Sequence, residues 1–567
     1  MDGDDGLLGR VQMNLEGMNH ALRTGRGEDA VCFADLLLAD IPKSAEAWYW
    51  KTSACTAAGD AVGARAALEV AVRSHVYDLF PALEIDIDRF LNDREYNSQL
   101  SHACYGNRMP AIASIFGMQA ISLGATDAMF LLHHGLSFQH QGRMDEAMRI
   151  FGQAAQTFPS AAVLQFYLYS LFFVPGGVQR YSVEAKAWGN AYGQFDNWNR
   201  QPAPLTGRRL RIGYVAPGIL TTQLKQFLTP ILKAHDPEKV EVILYVAKPE
   251  NETGVPCARM VATEGVSDET LTGIIRSDEI DVLVDTWGHT SGSRAGVFAR
   301  RAAPVQVAWI NFVQTTGIKA MDYVLHADSM AAPGTEELFV EKVWPVGPVC
   351  CPYRPAMNRM DPVPTPALTS GVVTFASFNH PAKLSDETIA AWARILKGRE
   401  NSVLLLKYGY FADPVLQRVF RARFQAHGVD TDRVIFEGHS YGDEYVQSFA
   451  RIDLALDPSP CPGGTTSCDA VSNGVPVLTL EGNDFYARIG IQVLDACGLP
   501  ELITPTWDDY VARALELTAD IGVLNDLRAR VRPGYENGVL ADVDGFTRRL
   551  EDSFFEITRR TLAAEAA

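Results

Sequence analysis

The residues best suited to chemistry lie in one short stretch, Asp457-Pro-Ser-Pro-Cys-Pro-Gly-Gly-Thr-Thr-Ser-Cys-Asp469. The stretch follows an apolar run typical of a strand and precedes a short helical segment. Gly463 and Gly464 would let a ligand approach the backbone, and Thr465 and Thr466 would offer hydroxyls and N–H groups where the helix begins. Unpaired N–H groups and the helix dipole favour anions there. A strand-to-helix turn capped by Thr465 explains the same residues, and the pattern alone leaves both interpretations open.

The sequence around this stretch predicts two α/β units. Apolar, β-branched runs alternate with helix-like segments, as in a parallel, doubly wound sheet. The pattern stops at a proline-rich stretch, 354–370, and then restarts. We therefore expect two Rossmann-like halves, 208–360 and 361–567, the second with a C-terminal helix, and ligand binding at the carboxyl ends of their strands. The predicted strands are 210–215, 240–246, 280–284, 305–309, 372–376, 402–406, 433–436, 452–456 and 475–479.

The first 175 residues predict helices. Ala and Leu recur at helical spacing without a convincing strand. Between residues 128 and 161, small, aromatic, turn and helix-ending residues follow the pattern of a tetratricopeptide unit of about 34 residues. The members of this pattern are Gly135, Phe138, Gly142, Ala147, Phe151, Ala154 and Pro159. A generic helical bundle is the alternative. We expect a TPR-like helical repeat domain over 1–175, whose concave surface suits a protein or peptide, and a linker over 176–207.

The composition excludes several classes of partner. A formal net charge of −18 argues against nucleic acid, because nucleic-acid binding depends on basic side chains that neutralise phosphates. The acidic stretch 1–6 lacks the cationic segment of a signal peptide, and the most apolar run, 161–174, is shorter than the ~18 residues of a membrane span. Nine cysteines without zinc-site spacing fit a reducing compartment. We expect a cytoplasmic protein with no membrane, nucleic-acid or metal partner.

Several sequence blocks carry a family resemblance, in matching order and spacing. The blocks are 211–217, 288–294, 298–306, 315–317, 321–323, 377–383, the Gly-Gly-Thr-Thr loop with Asp469, and 474–479. In them the chain resembles the O-GlcNAc transferase / SPINDLY family of protein glycosyltransferases, which also carry N-terminal tetratricopeptide repeats. The resemblance implies a TPR-like α-helical repeat domain followed by a GT-B glycosyltransferase fold of two Rossmann-like α/β domains. It also implies a nucleotide-sugar substrate, UDP-linked as the first choice, without a further cofactor.

The resemblance assigns roles to residues at matching positions. Lys383 matches the catalytic lysine that contacts the donor diphosphate, where a cation would neutralise charge on the departing nucleotide. Thr465 and Thr466 match residues that bind the donor phosphates. Asp469 matches a residue that contacts the ribose. These four residues form the centre of the predicted site.

Five further residues complete the predicted site. Gly464 and His380 stand inside donor-binding blocks, and Gln306 stands in the block that faces the cleft. Tyr445 takes the place of a family histidine that stacks on the nucleobase, and core packing explains this tyrosine equally well. His289 follows the third predicted strand at the cleft, where a neutral imidazole could assist the acceptor hydroxyl. A structural hydrogen bond to the neighbouring loop is an equal alternative for His289.

Three departures from the family pattern fall within the predicted site. Thr222 stands where a histidine near the acceptor is usual. Gly464 replaces the histidine that precedes the two threonines, and Asn311-Phe-Val-Gln314 replaces a Gly-Tyr-Pro stretch. These changes indicate either a different donor or a loss of catalysis, and with Thr222 in place of the histidine the identity of the general base stays open.

The resemblance and the residues together predict an inverting, metal-independent transfer of a sugar to Ser or Thr of a protein acceptor bound by the repeats. GlcNAc from UDP-GlcNAc is the first choice of donor. One alternative is a flagellin or surface-protein glycosyltransferase with another donor, such as a CMP-nonulosonic acid. A second alternative is a catalytically degenerate TPR binding scaffold, and the retention of Lys383, Thr465, Thr466 and Asp469 weighs against it.

Overall fold

The computed structural model describes residues 4–42, 45–72, 86–195, 203–311, 314–330, 334–482 and 485–566. The first part of the chain is helical. Its helices are α1 (Asp4–Arg23), α2 (Gly27–Asp40), α3 (Ala45–Ala57), α4 (Ala61–Val72), α5 (Ile87–Asn92), α6 (Arg94–Gly106), α7 (Pro110–Ser122), α8 (Ala128–Gln139), α9 (Met144–Thr157), α10 (Ala161–Ser170) and α11 (Gly177–Tyr192). Capping side chains determine where several begin: Asp86, Asp93 and Ser160 accept hydrogen bonds from the first turns of α5, α6 and α10.

Residues 128–161 pack as the repeat pattern predicts. A Cβ atom on Gly135 of α8 would lie 2.5 Å from Cε1 of Phe151 in α9, so only glycine allows this close approach. Gly142, with a φ of +73°, forms the turn between the two helices, and α9 ends before Pro159. The predicted helical repeat region is therefore confirmed.

The linker predicted over 176–207 is wrong for most of its length, because residues 177–192 form α11. The Pro175-Gly-Gly177 sequence forms a tight turn before this helix. Gly176 has a φ of +67°, and a Cβ atom on Gly177 would lie 1.8 Å from the carbonyl oxygen of Leu171. Residues 196–202 of the predicted linker lie outside the described residues.

The chain divides into two compact units at a different place from the predicted boundary at 175. One unit comprises residues 1–130 and 413–415, with a buried core that includes Phe90 and Phe116. The other comprises residues 131–412 and 416–567. The later helices, α9 to α11, thus belong to the same unit as the α/β part of the chain. The predicted repeat domain over 1–175 is corrected accordingly.

The α/β part contains two parallel sheets with helices between their strands. The first sheet has the strand order β3-β2-β1-β4-β5-β6-β7. Its strands are β1 (Leu210–Val215), β2 (Val240–Val246), β3 (Arg259–Ala262), β4 (Val282–Asp285), β5 (Val305–Ala308), β6 (Tyr323–His326) and β7 (Lys342–Pro345). Its helices are α12 (Leu224–Ala234), α13 (Asp268–Ser277) and α14 (Ala295–Ala299). The order reverses between β1 and β4, which therefore flank the switch point of this half.

The second sheet has the strand order β10-β9-β8-β11-β12-β13. Its strands are β8 (Val373–Ser377), β9 (Ser402–Lys407), β10 (Val434–Glu437), β11 (Leu454–Leu456), β12 (Val477–Leu480) and β13 (Ile503–Thr504). The remaining helices are α15 (Ala367–Ser370), α16 (Asp386–Gly398), α17 (Pro414–Ala426), α18 (Gly442–Ser448), α19 (Thr465–Ser472), α20 (Ile489–Ala496), α21 (Trp507–Ala519), α22 (Ile521–Asn537) and α23 (Val543–Ala566). Here the order reverses between β8 and β11. The predicted fold class, helical repeats followed by two Rossmann-like domains, is confirmed.

The last helix corrects the predicted division at 361. α23 packs on α12 and β5 of the first half, although the sequence predicted it as part of the second. Glu551 accepts a hydrogen bond from Nδ1 of His235 at 2.8 Å, and the ring of Phe546 stacks on Trp309 with centroids 6.0 Å apart. The helix follows the first half because its buried apolar face, which includes Phe546, Leu550 and Phe554, covers the first sheet.

Candidate active site

The predicted anion-binding stretch connects β11 to α19 and lies at the switch point of the second sheet. Gly464 is the N-cap residue of α19, with φ −104° and ψ −87°. No side chain among the described residues caps this helix start, so Thr465 does not form the cap that the simpler interpretation required. The first-turn N–H groups of an α-helix have no partner within the helix. They are therefore available to an anion.

The loop before α19 is held in place from the other side of the switch point. Lys383 lies in a short 3-10 turn after β8, and its Nζ donates to the carbonyl oxygen of Pro462 at 2.8 Å. The carbonyl oxygen of Ser459 accepts hydrogen bonds from Oγ of Ser385 at 2.8 Å and Oγ1 of Thr388 at 3.0 Å. These contacts place the ammonium group of Lys383 beside the loop that leads into α19.

The carboxylate of Asp457 holds the same loop through hydrogen bonds. It is 2% exposed, and its Oδ1 accepts hydrogen bonds from the N–H of Gly463 at 3.2 Å and from Oγ of Ser467 at 2.8 Å. Burial raises the pKa of Asp457 to about 6, although the hydrogen bond from Ser467 and the charge of Lys383 act in the opposite direction. The sequence analysis quoted Asp457 as the start of the stretch without assigning it a role.

Thr466 and its neighbours connect α19 to the end of β8. Oγ1 of Thr466 donates to Oδ1 of Asn379 at 3.2 Å, and Nδ2 of Asn379 donates to Oγ of Ser377 at 3.1 Å. Asn379 is a further site residue that the sequence analysis left without a role, although it lies in a quoted block. Thr465 is half-buried at the first position of the helix. The two predicted phosphate-binding threonines thus lie at the same helix start.

His380 stabilises the turn that carries Lys383. Its Nδ1 accepts a hydrogen bond from the N–H of Ala382 at 2.9 Å, and its ring packs among aromatic residues that include Tyr408 and Tyr410. Burial lowers the pKa of His380 well below its ordinary value, and the nearby Lys383 adds to this effect. His380 is therefore neutral, and it supports the site through the turn.

Asp469 of α19 forms a network with two tyrosines. Its Oδ1 accepts a hydrogen bond from the hydroxyl of Tyr353, and its Oδ2 accepts one from the hydroxyl of Tyr445 at 3.0 Å. Burial raises the pKa of Asp469 to about 6, and both tyrosine hydrogen bonds oppose this shift. Gln226 of α12 donates to the Tyr353 hydroxyl at 3.1 Å. The ring of Tyr445 also packs on Phe449. The network links α12 of the first half to the helix start in the second.

His289 lies just after the carboxyl end of β4, as predicted, and both of its ring nitrogens already have partners. Its Nε2 donates to the carbonyl oxygen of Thr316 at 2.7 Å, and its Nδ1 accepts from Nε2 of Gln165 at 3.2 Å. Burial lowers the pKa of His289 to about 4, and the side chain is 1% exposed. These contacts favour the structural alternative for His289 over a role as a base.

Gln306 has an equally complete set of hydrogen bonds. The side chain is fully buried in β5, where Nε2 donates to the carbonyl oxygens of Phe298 and Ala320, each at 2.8 Å, and Oε1 accepts from the N–H of Ala302 at 2.9 Å. The side chain does not face the cleft as predicted. Its amide group joins segments of the first half, and we leave Gln306 out of the candidate site.

The segment that departs from the family pattern after β1 is fixed by a buried carboxylate. Glu252 accepts hydrogen bonds from the N–H groups of Ile219 at 2.9 Å and Leu220 at 2.7 Å. Oγ1 of Thr222 donates to the carbonyl oxygen of Gly218 at 2.6 Å. The hydroxyl of Thr222 therefore bonds to the backbone of its own turn. Residues 312 and 313, which belong to the third departure from the family pattern, lie outside the described residues.

Within the described ranges, His, Cys, Asp and Glu side chains form no group of three or more that could hold a metal ion. None of the described helices combines the length and the apolar character needed to cross a membrane.

The helical repeats, the two parallel sheets and the helix start at the switch point define a glycosyltransferase of the GT-B fold. A family model described as glycosyl transferase family 41 matches residues 194–344 and 365–550. The chain belongs to this family.

Individual relatives support this assignment. The chain is 31% identical over 390 residues to a protein of Hordeum vulgare named "Probable UDP-N-acetylglucosamine–peptide N-acetylglucosaminyltransferase SPINDLY", covering 66% of this chain and 41% of that protein. It is 23% identical over 478 residues to the UDP-N-acetylglucosamine–peptide N-acetylglucosaminyltransferase of Caenorhabditis elegans, covering 62% and 41%. The chain thus spans about two fifths of the length of these curated relatives.

A solved structure matches almost the whole chain. A mutant of the Thermobaculum terrenum O-GlcNAc transferase superposes with a TM-score of 0.73 at 25% identity and covers 99% of both chains. The resemblance drawn from the sequence blocks is therefore confirmed.

Proposed function

We propose that this chain transfers a GlcNAc-type sugar from a UDP-linked donor to Ser or Thr hydroxyls of a protein acceptor. The names of its relatives in barley, in Caenorhabditis elegans and in Thermobaculum terrenum support a donor and an acceptor of these classes. One observation carries the proposal. At a single switch point, the ammonium group of Lys383 contacts the loop that leads into α19, and the start of α19 has no side-chain cap.

The donor diphosphate would bind the first-turn N–H groups of α19, the hydroxyls of Thr465 and Thr466, and the ammonium group of Lys383. When the bond between the anomeric carbon and the diphosphate breaks, negative charge develops on the departing phosphate. Fixed donors and a cation at that position stabilise the transition state more than the ground state. These groups meet the charge of the diphosphate, and the proposal therefore needs neither a metal ion nor a resident cofactor.

The acceptor oxygen would attack the anomeric carbon from the face opposite the diphosphate, which inverts the configuration at that carbon. The new bond joins the acceptor oxygen to the sugar, the nucleotide leaves as a diphosphate, and the acceptor hydroxyl loses its proton. His289 does not take this proton, because its Nδ1 already accepts a hydrogen bond and burial holds its pKa at about 4.

The identity of the donor depends on the space beside the phosphates. A Cβ atom on Gly464 would meet no other atom within 4 Å, so this position, where the family has a histidine, is open. The opening favours a second candidate: a donor with a larger or charged group there, such as a CMP-nonulosonic acid. Under that alternative, flagellin or another surface protein would be the acceptor.

The helical repeats would bind the acceptor protein, since helical repeats offer an extended concave surface. A cytoplasmic location is part of the proposal. It is supported by the nine cysteines, all of which are free thiols.

Thermal shift with UDP-GlcNAc, UDP, GDP and CMP-linked sugars tests the donor, and intact-mass analysis of a co-expressed acceptor identifies the sugar.

Lys383→Ala should abolish the mass increment. Lys397→Ala is a matched control, because Nζ of Lys397 also donates to a carbonyl oxygen in the same half, that of His427 at 3.3 Å. The control should keep the increment. An unchanged increment in Lys383→Ala would exclude the proposed site, and a wild-type chain that no nucleotide-sugar stabilises would favour a degenerate scaffold.

A further inference from the structure

The carboxylate of Asp457 is buried, and its two oxygens have different surroundings. Oδ1 accepts from the N–H of Gly463 and from Oγ of Ser467, whereas Oδ2 is buried beside the hydroxyl of Thr479. Gly463 belongs to the proposed phosphate loop and Ser467 to the first turn of α19. One carboxylate therefore determines how the loop meets the helix start.

Several titratable and charged groups face Asp457. Lys383 supplies a positive charge that favours the ionised carboxylate, while its Nζ donates to the Pro462 carbonyl of the same loop. Tyr510 of α21 donates its hydroxyl to the main-chain oxygen of Asp457 at 3.0 Å. The thiols of Cys461 and Cys468 are buried nearby, and burial raises the pKa of each, with the charge of Asp457 as a smaller cause. Lys383 is thus the charge that stabilises this carboxylate, and it is also the cation proposed to bind the donor.

A hydroxyl group lies beside Oδ2. Oγ1 of Thr479 on β12 is also buried, and as a hydrogen-bond donor to the carboxylate it lowers the pKa of Asp457. Both atoms surround Gly490, where a Cβ atom would lie 2.3 Å from Oγ1 of Thr479 and 3.3 Å from Oδ2 of Asp457. The Thr479 hydroxyl can donate to the ionised carboxylate and can accept from Oδ2 once that oxygen is protonated, and Oδ1 keeps its bonds to Gly463 and Ser467 in both forms.

We propose that Asp457 is a positioning residue that holds the phosphate loop in its anion-binding shape and takes up a proton when the donor diphosphate binds. This inference rests on the proposed function, because it assumes an anion at the start of α19. The diphosphate brings negative charge close to a buried carboxylate and shares the positive charge of Lys383. Both changes favour the neutral form of Asp457.

Proton uptake by Asp457 would make donor affinity depend on pH. Without the donor, burial holds the pKa of Asp457 at about 6, so the carboxylate is mostly ionised at neutral pH. Donor binding raises this pKa further, and binding is therefore coupled to proton uptake. Affinity for a nucleotide-sugar should rise as the pH falls from about 8 to about 6, where the unliganded carboxylate becomes protonated, and should level off below that range.

Titration calorimetry measures the coupling directly. UDP-GlcNAc is the probe, because its diphosphate has no group that titrates near pH 6. Heats of binding at pH 7 in two buffers of different ionisation enthalpy give the number of protons taken up. The wild-type chain should take up about half a proton for each donor bound.

Two substitutions separate the positioning role from a merely structural one. Asp457→Asn keeps an acceptor for Gly463 and Ser467 but carries no charge. It should bind UDP-GlcNAc about three- to tenfold more tightly than wild type at pH 7.5, with no proton uptake. Asp457→Ala removes the acceptor and should bind more weakly at every pH.

Asp453, which precedes β11 as Asp457 follows it, provides a matched control. Its buried carboxylate accepts hydrogen bonds from the N–H groups of Ala367 at 2.9 Å and Thr374 at 2.7 Å, away from the loop. Asp453→Asn should leave the proton uptake of the wild type unchanged. Donor binding without proton uptake, or an Asp457→Asn variant with wild-type pH dependence, would overturn the role of Asp457 and leave the proposed function standing. If no nucleotide-sugar bound the wild-type chain, the proposed function would fail, and this inference with it.

Discussion

The two α/β halves have the same kind of switch point but use it differently. In the first half, the N–H groups of Ile219 and Leu220 after β1 are bonded to Glu252, and both ring nitrogens of His289 after β4 are bonded to other residues. In the second half, the ammonium group of Lys383 meets a carbonyl oxygen beside a helix start without a side-chain cap. Topology alone therefore does not locate a ligand site. Among the described residues, the candidate site lies at the switch point where a cation is next to a helix start that has no side-chain cap.

Two comparable helix starts show the same contrast. α13 of the first half begins after Ser267, whose Oγ accepts from the N–H of Thr270 at 3.1 Å. α19 of the second half begins after Gly464, which has no side chain to compete for these N–H groups. A bound anion could take the position that the serine hydroxyl occupies at α13.

The largest expected difference between the halves concerns Lys383 and His289. Lys383→Ala should lower kcat by about a hundred- to a thousandfold, because the cation acts on charge that develops in the transition state. His289→Leu should change kcat by less than about threefold, since catalysis does not use its ring nitrogens. Steady-state kinetics with UDP-GlcNAc and an acceptor protein would measure both. A larger loss of kcat in His289→Leu than in Lys383→Ala would place the catalytic group in the first half rather than the second.

His289 should instead affect stability, in a pH-dependent way. Its folded-state pKa of about 4 lies below the ordinary value of 6.5, so the unfolded chain binds the proton more readily. The contribution of the neutral ring is complete above pH 6.5 and is lost as the pH falls towards 4. Between pH 7 and pH 5 the wild-type chain should lose about 2 kcal/mol of unfolding free energy through this residue. Urea unfolding at both pH values checks this prediction, and an identical pH-dependent loss in His289→Leu would contradict it.

Substitutions of two buried amide side chains, one in each half, should have smaller and different effects. Gln306→Ala leaves buried backbone groups without partners and should cost about 1–3 kcal/mol of stability, with no change in the KM for the donor. Asn379→Ala removes the acceptor of the Thr466 hydroxyl and should raise the donor KM about three- to tenfold. Urea unfolding and donor kinetics on both variants measure these effects. A raised donor KM in Gln306→Ala would return that residue to the site.

The smallest effect concerns Tyr445. Tyr445→Phe removes one of the two hydroxyls that donate to Asp469 and keeps the aromatic ring. It should change nucleotide affinity by no more than about threefold, because the ring would still stack on the base and Asp469 would keep its bond to Tyr353. Titration with UDP measures the effect. A tenfold or larger loss would show that the hydroxyl, rather than the ring, contacts the nucleotide.

The sequence predicted those parts of the fold that depend on local pattern. β1 and β2 begin and end at the predicted residues, because both are mostly apolar, largely buried runs in the interior of a sheet. β3 and β7, which the sequence analysis missed, lie at the sheet edges and begin with the charged residues Arg259 and Lys342. α23 was predicted as a helix, but its packing on the first half depends on contacts that no local pattern contains.

The same limit applies to the candidate site. Lys383 and Thr466 were identified because short sequence blocks surround them. The hydrogen bond between Tyr353 and Asp469 joins residues 116 positions apart, and the block pattern gave no sign of it. His289 and Gln306 also lie in well-matched blocks, yet their polar atoms are already engaged: those of His289 with Thr316 and Gln165, and those of Gln306 with three backbone groups of its own half. A block pattern therefore identifies residues that the fold needs, and the contacts determine which of them remain available to a ligand.

A crystal structure of this chain with UDP bound would show whether the nucleotide binds at the start of α19. We expect the β-phosphate within hydrogen-bonding distance of the N–H groups of Thr465 and Thr466 and of Nζ of Lys383, which would move from the Pro462 carbonyl to the phosphate. A nucleotide bound at the first switch point, beside His289, with the start of α19 unoccupied, would contradict this expectation.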